Sequence, residues 1–380
     1  MTILFWFLIA AILYATVGYP VLVLALGSLR RRRAATGTAR KLRVDFVIPA
    51  HNEAQVIEEK LRNTLAQKTD PEHELRIIVV SDGSSDGTVE AARRVSDERI
   101  EILDIQPRAG KVNALNVAIG RLSGDVAVFS DANSMLVPGA LDALLSHYVD
   151  EEVGGVCGAI SVARSKVGGI AKSEGLYWRY DQAVKAAESN LGGAVSAQGS
   201  FHSVRSELVE PLPLDAADDF TLSVRAVAAG KRLVFEPRAI AIETVTEKAD
   251  KELMRRVRST ERGWRALMNH AYLLNPMRTG IYSVQLFSHK LLRRLVPWLL
   301  ILLFVVSAVL SGRGNPYSAA FGIQLAIYGI AALAAIFPTI RRLPVVRHVF
   351  FGVMAMVAMG MGVFNYYRGK NSTLWTPVRE

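Results

Sequence analysis

The stretch that decides the fold reads VDFVIPAHNE over residues 44–53. Val44 to Ala50 is a short apolar run of β-branched and aromatic residues, the pattern of a strand buried on both faces. Polar residues follow it, and then a helical pattern over Glu53 to Gln67. The alternation recurs downstream. Leu75 to Ser81 predicts a second strand, followed by a glycine-rich turn and a helix around Val89 to Ser96. Ile100 to Ile105 is a third strand, Lys111 to Leu122 a helix, and Asp125 to Ser130 a fourth strand. Short strands alternating with helices predict an α/β domain with a mostly parallel sheet flanked by helices. Such sheets bind ligands beyond the carboxyl ends of their strands.

Polar residues stand at those ends. The first strand runs into His51-Asn52-Glu53, the second into Asp82-Gly83 and Asp86-Gly87, and the fourth into Asp131-Ala132-Asn133. Each has a purely structural explanation. Asn52 can cap a helix with Glu53 in its first turn, and Asp-Gly pairs are common turn chemistry. Three such ends on one sheet edge point instead to a ligand site. Neither a Gly-x-Gly-x-x-Gly fingerprint nor a Walker-type phosphate loop is present, which argues against a dinucleotide or P-loop site.

Outside this domain the composition changes. Of 380 residues 51% are hydrophobic, yet 21% are charged, so the chain is neither wholly soluble in character nor all membrane. Ile3 to Leu26 is apolar over a length that would reach about 36 Å as a helix, against a hydrocarbon core of about 30 Å. Its positive cluster follows the apolar run instead of preceding it, unlike a signal peptide. Leu295 to Leu310, Ala319 to Phe337 and Val349 to Phe364 are three further candidate spans, and Ile281 to Leu295 has the mixed pattern of an amphipathic interface helix. The expected organisation is a transmembrane helix over 1–29, a basic linker over 30–42 and a catalytic domain over 43–250. An interface segment over 251–294, transmembrane helices over 295–367 and a tail over 368–380 complete it.

The net charge of +10 is concentrated. Arg30 to Arg43 holds seven basic residues and no acid, and Lys251 to Arg294 holds ten against Glu252 and Glu261. Both windows adjoin apolar stretches, so the expected partner is an anionic bilayer surface and not nucleic acid. Positive loops place the middle domain on the cytoplasmic side of the cell membrane. The single cysteine, Cys157, excludes an intramolecular disulfide framework.

The strings VDFVIPAHNE (44–53), VVSDGSSDGT (79–88), RAGKVNALN (108–116) and VFSDANS (128–134), in that order, resemble a membrane-integrated family 2 glycosyltransferase with the GT-A fold, of the kind acting on exopolysaccharide or glycolipid. The likeness continues through Gln198-Gly199-Ser200-Phe201 and Asp218-Asp219. It implies a UDP-sugar donor, with Ala50, Asn52 and Glu53 lining the nucleoside pocket and Asp82 accepting a bond from the uracil imide. Arg108, Lys111 and Arg258 would meet the diphosphate. Asp131 and Asn133 stand where the family has its DxD motif and would bind Mg²⁺ or Mn²⁺. Asp219 would be the general base in an inverting displacement, and crowding by Asp215 and Asp218 could raise one carboxyl pKa. Asp218, Gln198, Gly199 and Trp264 would stand near a glycan or lipid-linked acceptor.

Two departures from the family pattern stand out. Asn133 removes one negative charge from the metal motif, and Arg255-Arg256-Val257-Arg258-Ser259 replaces the Gln-x-x-Arg-Trp of polymer synthases, with Trp264 five residues beyond. Both give some weight to an alternative, a catalytically weak scaffold among the subunits of a polysaccharide export assembly.

Overall fold

The computed structural model describes residues 1–30, 40–70, 72–162, 169–243 and 249–369. Arg31 to Arg33 of the basic linker and all of the tail beyond Gly369 lie outside the described residues. The chain divides into two compact units. One comprises Met1–Leu22, Lys248–Asn269 and Leu286–Lys370; the other is built mainly from Val23–Glu247 with His270–Gln285.

The second unit holds an eight-stranded sheet of β1 (Arg43–Ala50), β2 (Glu74–Asp82), β3 (Ile100–Ile105), β4 (Val126–Ser130), β5 (Met135–Leu136), β6 (Val153–Val162), β7 (Phe201–Arg205) and β8 (Arg232–Glu243). Their spatial order is β3-β2-β1-β4-β7-β6-β8-β5. The first four pair in parallel, with Val47 opposite both Ile78 and Phe129. All four expected strands are present within a residue or two of their predicted bounds.

Beyond β4 the sheet is mixed. β7 lies between β4 and β6 and runs antiparallel to both, β8 is parallel to β6, and β5 is antiparallel to β8. Six of the eight strands still run in one direction, with β7 and β5 reversed, so the mostly parallel sheet expected from the sequence is present. The regular strand–helix alternation that enforces parallel neighbours ends at β4.

Alternate residues of the central strands feed two apolar layers. Phe46 and Ile48 pack with Ile57 and Leu61 of the helix Ile57–Leu65, while Val47, Ile78 and Val80 pack with Val112 and Leu115 of the helix Lys111–Ile119. Each fully buried aliphatic or phenyl side chain contributes about 2 kcal/mol through removal from water. The first of these helices starts later than expected. Asn52 adopts a left-handed φ of 55°, which Asn tolerates better than most residues, so it turns the chain and does not cap a helix.

Among the described residues four helical runs are long and apolar enough to cross a membrane: Thr2–Leu29, Ile281–Arg313, Tyr317–Ile336 and Pro344–Tyr367. The amphipathic segment expected over Ile281 to Leu295 does not stand apart from the span that follows it. That segment is the start of the 33-residue run, with a π-helical turn over Phe287–Leu292. Within the first unit its polar groups face protein. Ser288 Oγ lies 2.9 Å from the Tyr14 hydroxyl, and the buried His289 ring lies 6.3 Å from that of Tyr19. The helix Ala249–Asn269 approaches Pro344–Tyr367 closely at Gly362, where an added Cβ would lie 2.6 Å from Thr260 Cβ. Small residues permit such backbone contact between helices.

Candidate active site

The carboxyl ends of β1 and β2 are stitched together by their loops. The Asn52 amide donates to Ser84 Oγ (3.2 Å), and Asn52 Oδ1 accepts from the Ser85 amide (2.9 Å). The Glu53 amide donates to Thr88 Oγ1 (2.8 Å), and the Ala54 amide to Asp86 Oδ2 (3.1 Å). His51 Nδ1 lies 2.7 Å from the Asp82 carbonyl. Ala50 and Glu53 are buried here.

Asp82 is only 1% exposed, and its carboxylate is occupied. It accepts from the Ala109 amide at 2.7 Å and from the Gly110 amide at 2.8 and 3.0 Å. Its place at the strand end is the one expected. Asp82 anchors the loop that carries Arg108 and Lys111. Gly83 allows this approach: its φ is +60°, and a Cβ there would lie 2.7 Å from the Arg108 backbone nitrogen. Arg108 Nε sits 3.9 Å from Asp82 Oδ2, and its Nε and Nη2 are buried without a hydrogen-bond partner among the described residues.

Lys111 opens the helix Lys111–Ile119 and reaches across the strand ends. Its Nζ donates to Asp131 Oδ1 at 2.8 Å and to Asp218 Oδ2 at 2.9 Å. Burial opposes the Lys111 charge, but the two carboxylates outweigh it and hold the ammonium above the ordinary lysine range. Burial alone would raise Asp218; the Lys111 cation overcomes it and keeps that carboxyl below its ordinary value. Crowding among the acids therefore does not raise Asp218, because a cation stands beside it.

Asp218 and Asp219 form the first turn of the helix Asp218–Ala228, and Asp219 Oδ1 accepts from the Phe220 amide at 2.8 Å. Gly199 lies against this pair. A Cβ placed on it would be 4.0 Å from both Asp219 Oδ2 and Lys111 Nζ. Gln198 Nε2 donates to Asp181 Oδ2 at 3.1 Å, and the buried Lys185 holds the same oxygen at 3.0 Å. The structure thus brings Lys111, Asp131, Asp218, Asp219 and Gly199 into one cluster, with Asn133 half-buried on the Asp131 loop.

Two buried groups were not singled out from the sequence. His202 on β7 is 1% exposed and stacks on Phe129 with ring centroids 5.3 Å apart. Burial pushes it down to about 4, so the imidazole is neutral beside the Asp218, Lys111 and Asp131 charges. Lys60 is fully buried beneath the Asp131 loop, and burial lowers it to about 7. Its position carries a signal in hindsight, since Ile57, Lys60, Leu61 and Thr64 recur at the spacing of one buried helix face.

The family model for glycosyl transferase family 2 matches residues 45–211, which include the three strand ends, Lys111 and Gly199. Over these residues the chain is thus similar to a family 2 glycosyl transferase domain. Among its relatives, the poly-β-1,6-N-acetyl-D-glucosamine synthase of Staphylococcus aureus (strain COL) is 27% identical over 232 residues, 59% of this chain and 55% of the relative. An N-acetylglucosaminyltransferase of Rhizobium meliloti (strain 1021) is 28% identical over 259 residues, 63% of this chain and 58% of the relative. The chain thus matches a little over half the length of these relatives. A solved mannosyltransferase from Pyrobaculum calidifontis, in complex with GDP-Man and Mn²⁺, superposes with a TM-score of 0.73 at 22% identity. It covers 97% of this chain and 100% of its own, which establishes a shared GT-A fold.

Two expected site residues belong to the first unit, outside the family 2 domain. Arg258 is half-buried on the helix Ala249–Asn269; burial, then the Arg262 and Arg255 charges, lower its pKa. Trp264 is 3% exposed on the same helix and meets Tyr367 edge-on with centroids 6.5 Å apart. In this packing its ring is buried in the first unit.

Proposed function

We propose that the protein transfers a sugar from a UDP-sugar to a glycan or lipid-linked acceptor, with inversion at the anomeric carbon. The observation that carries this reading is the Lys111 ammonium held between Asp131 and Asp218, with Asp219 and Gly199 beside it. It is a built-in cation at a sheet edge where a diphosphate would arrive.

Asp131, with the Asn133 amide, would hold Mg²⁺ or Mn²⁺. The Asp131 carboxylate is a hard oxygen donor of the kind these ions favour. Among the described residues no group of three His, Cys, Asp or Glu is arranged for a metal, so Asp131 and Asn133 would be the chain's contribution. When bound, the ion would neutralise charge on the departing UDP. Lys111 would leave Asp131 for the diphosphate, and Arg108, whose Nε and Nη2 are buried without a hydrogen-bond partner among the described residues, would add a second cation. Asp219 would take the proton from the acceptor hydroxyl as that oxygen bonds the anomeric carbon and the bond to UDP breaks. Base and leaving group on opposite faces of the ring require inversion. Gly199 removes bulk where the acceptor meets the base.

The four apolar helices would anchor the enzyme in the cell membrane, with the family 2 domain cytoplasmic where nucleotide-sugars are available. N-acetylglucosaminyl transfer by the named relatives makes UDP-N-acetylglucosamine the first donor to try. The test is purified full-length protein in lipid nanodiscs, supplied in turn with UDP- and GDP-sugars and Mn²⁺. Mass spectrometry and the anomeric proton coupling of the product give the readout. Transfer from a UDP-sugar, inverted and abolished by EDTA, is expected. Transfer from GDP-mannose alone would contradict the donor assignment. Silence with every donor would favour the scaffold reading, for which the loss of charge at Asn133 is the specific argument.

A further inference from the structure

Lys60 occupies a core position of the helix Ile57–Leu65 and is 0% exposed. An ammonium is among the costliest groups to bury unless it is fully hydrogen-bonded. Its Nζ donates to Ser130 Oγ at 2.7 Å and to the Ser134 carbonyl. These two residues bracket Asp131-Ala132-Asn133, and the bracketed turn is closed by the Ser134 amide on the Asp131 carbonyl at 3.1 Å. Three residues along the same helix, Asn63 grips Leu136 twice. Its Nδ2 donates to the Leu136 carbonyl at 2.9 Å, and its Oδ1 accepts from the Leu136 amide at 2.8 Å. Ser130 Oγ passes the connection on to the Ser200 carbonyl at 2.9 Å, next to Gly199. The Ser134 and Ser200 hydroxyls both donate to Glu243 at the end of β8.

We infer that Lys60 is a positioning residue: from beneath the sheet edge it fixes the Asp131–Asn133 loop, and through Ser130 its distance from the Gly199 loop, so that the ligands of the donor's metal are held before the donor arrives. Lys60 touches neither substrate nor reacting atoms and acts through the loop. The inference rests on the UDP and metal reading above.

The test is the affinity of the full-length protein in nanodiscs for UDP, with EDTA and with Mn²⁺, in wild type and in Lys60→Met. Met keeps the aliphatic stem and loses all three donors. A residue that only stabilised the fold would weaken both affinities together. Lys60 is expected to leave the metal-free affinity in place and to shrink the Mn²⁺-dependent gain by about 10- to 100-fold, as loss of a partner behind a metal ligand does. Should Lys60→Met not fold, Asn63→Ala removes the second clamp on the same segment, with an expected loss of about fivefold in the same gain. A folded Lys60→Met with the full wild-type gain overturns the inference, as does the full gain in Asn63→Ala where Lys60→Met cannot be folded. A wild-type protein with no Mn²⁺-dependent gain overturns the donor reading itself, and this inference with it.

Discussion

Asp219→Asn is expected to lower sugar transfer by about three orders of magnitude while leaving UDP affinity unchanged, in line with the loss of a positioned general base. The substitution keeps shape and volume. Asn Oδ1 can still accept from the Phe220 amide, which is 2.8 Å from Asp219 Oδ1, so the first helical turn is preserved. What disappears is the basic oxygen turned toward Gly199. Asp218 is the rival candidate, one residue away. Its carboxylate is already paired with Lys111 at 2.9 Å and held below its ordinary pKa, which makes it a poor proton acceptor. The check is initial rates of product formation beside isothermal titration with UDP for both Asp→Asn variants. Loss of transfer in Asp218→Asn with normal turnover in Asp219→Asn would reverse the assignment.

Lys111→Met should have the next largest effect. A charge-assisted contact to a phosphate contributes about 2–3 kcal/mol, so UDP affinity should fall roughly a hundredfold. The free protein should change as well, because Asp131 and Asp218 would face each other without their cation. The sign with pH follows from Asp218. Its pKa in the folded chain lies below the reference value of 3.8, so the ion pair contributes stability above that pH and loses it as pH falls through the lower folded value. Lys111→Met should be less stable at neutral pH and should lack this acid-side loss. Melting temperatures of both proteins between pH 7 and pH 3 measure it. Parallel curves would mean that Lys111 does not neutralise the carboxylates.

These expectations lean on residues that differ in how legible they were. The strand ends were readable because buried parallel strands are continuous apolar runs, and the polar residues that interrupt them must lie at the sheet edge. Lys111, Asp131, Asp218 and Asp219 are legible as candidates in that way, through spacing and family resemblance, and they lie together in the structure. The mixed half of the sheet was not readable, since β6, β7 and β8 pair through contacts far apart in sequence. His202 and Lys60 were missed for a related reason: each is a polar residue inside an apolar pattern, and only the tertiary neighbours reveal its use. Asp82 is a related case. Its carboxylate accepts from two backbone amides of the next loop, a tie that strand spacing alone does not reveal. The spacing of Trp264 from the arginine motif carries no information on its ring, which meets Tyr367 edge-on.

The most direct test of the whole account is a cryo-EM structure of the full-length protein in nanodiscs with UDP and Mn²⁺. The account predicts the ion against Asp131, Lys111 drawn from between Asp131 and Asp218 onto the diphosphate, and Asp219 facing the open side next to Gly199. Density for UDP away from these strand ends, with Lys111 still bridging the two carboxylates, would contradict it.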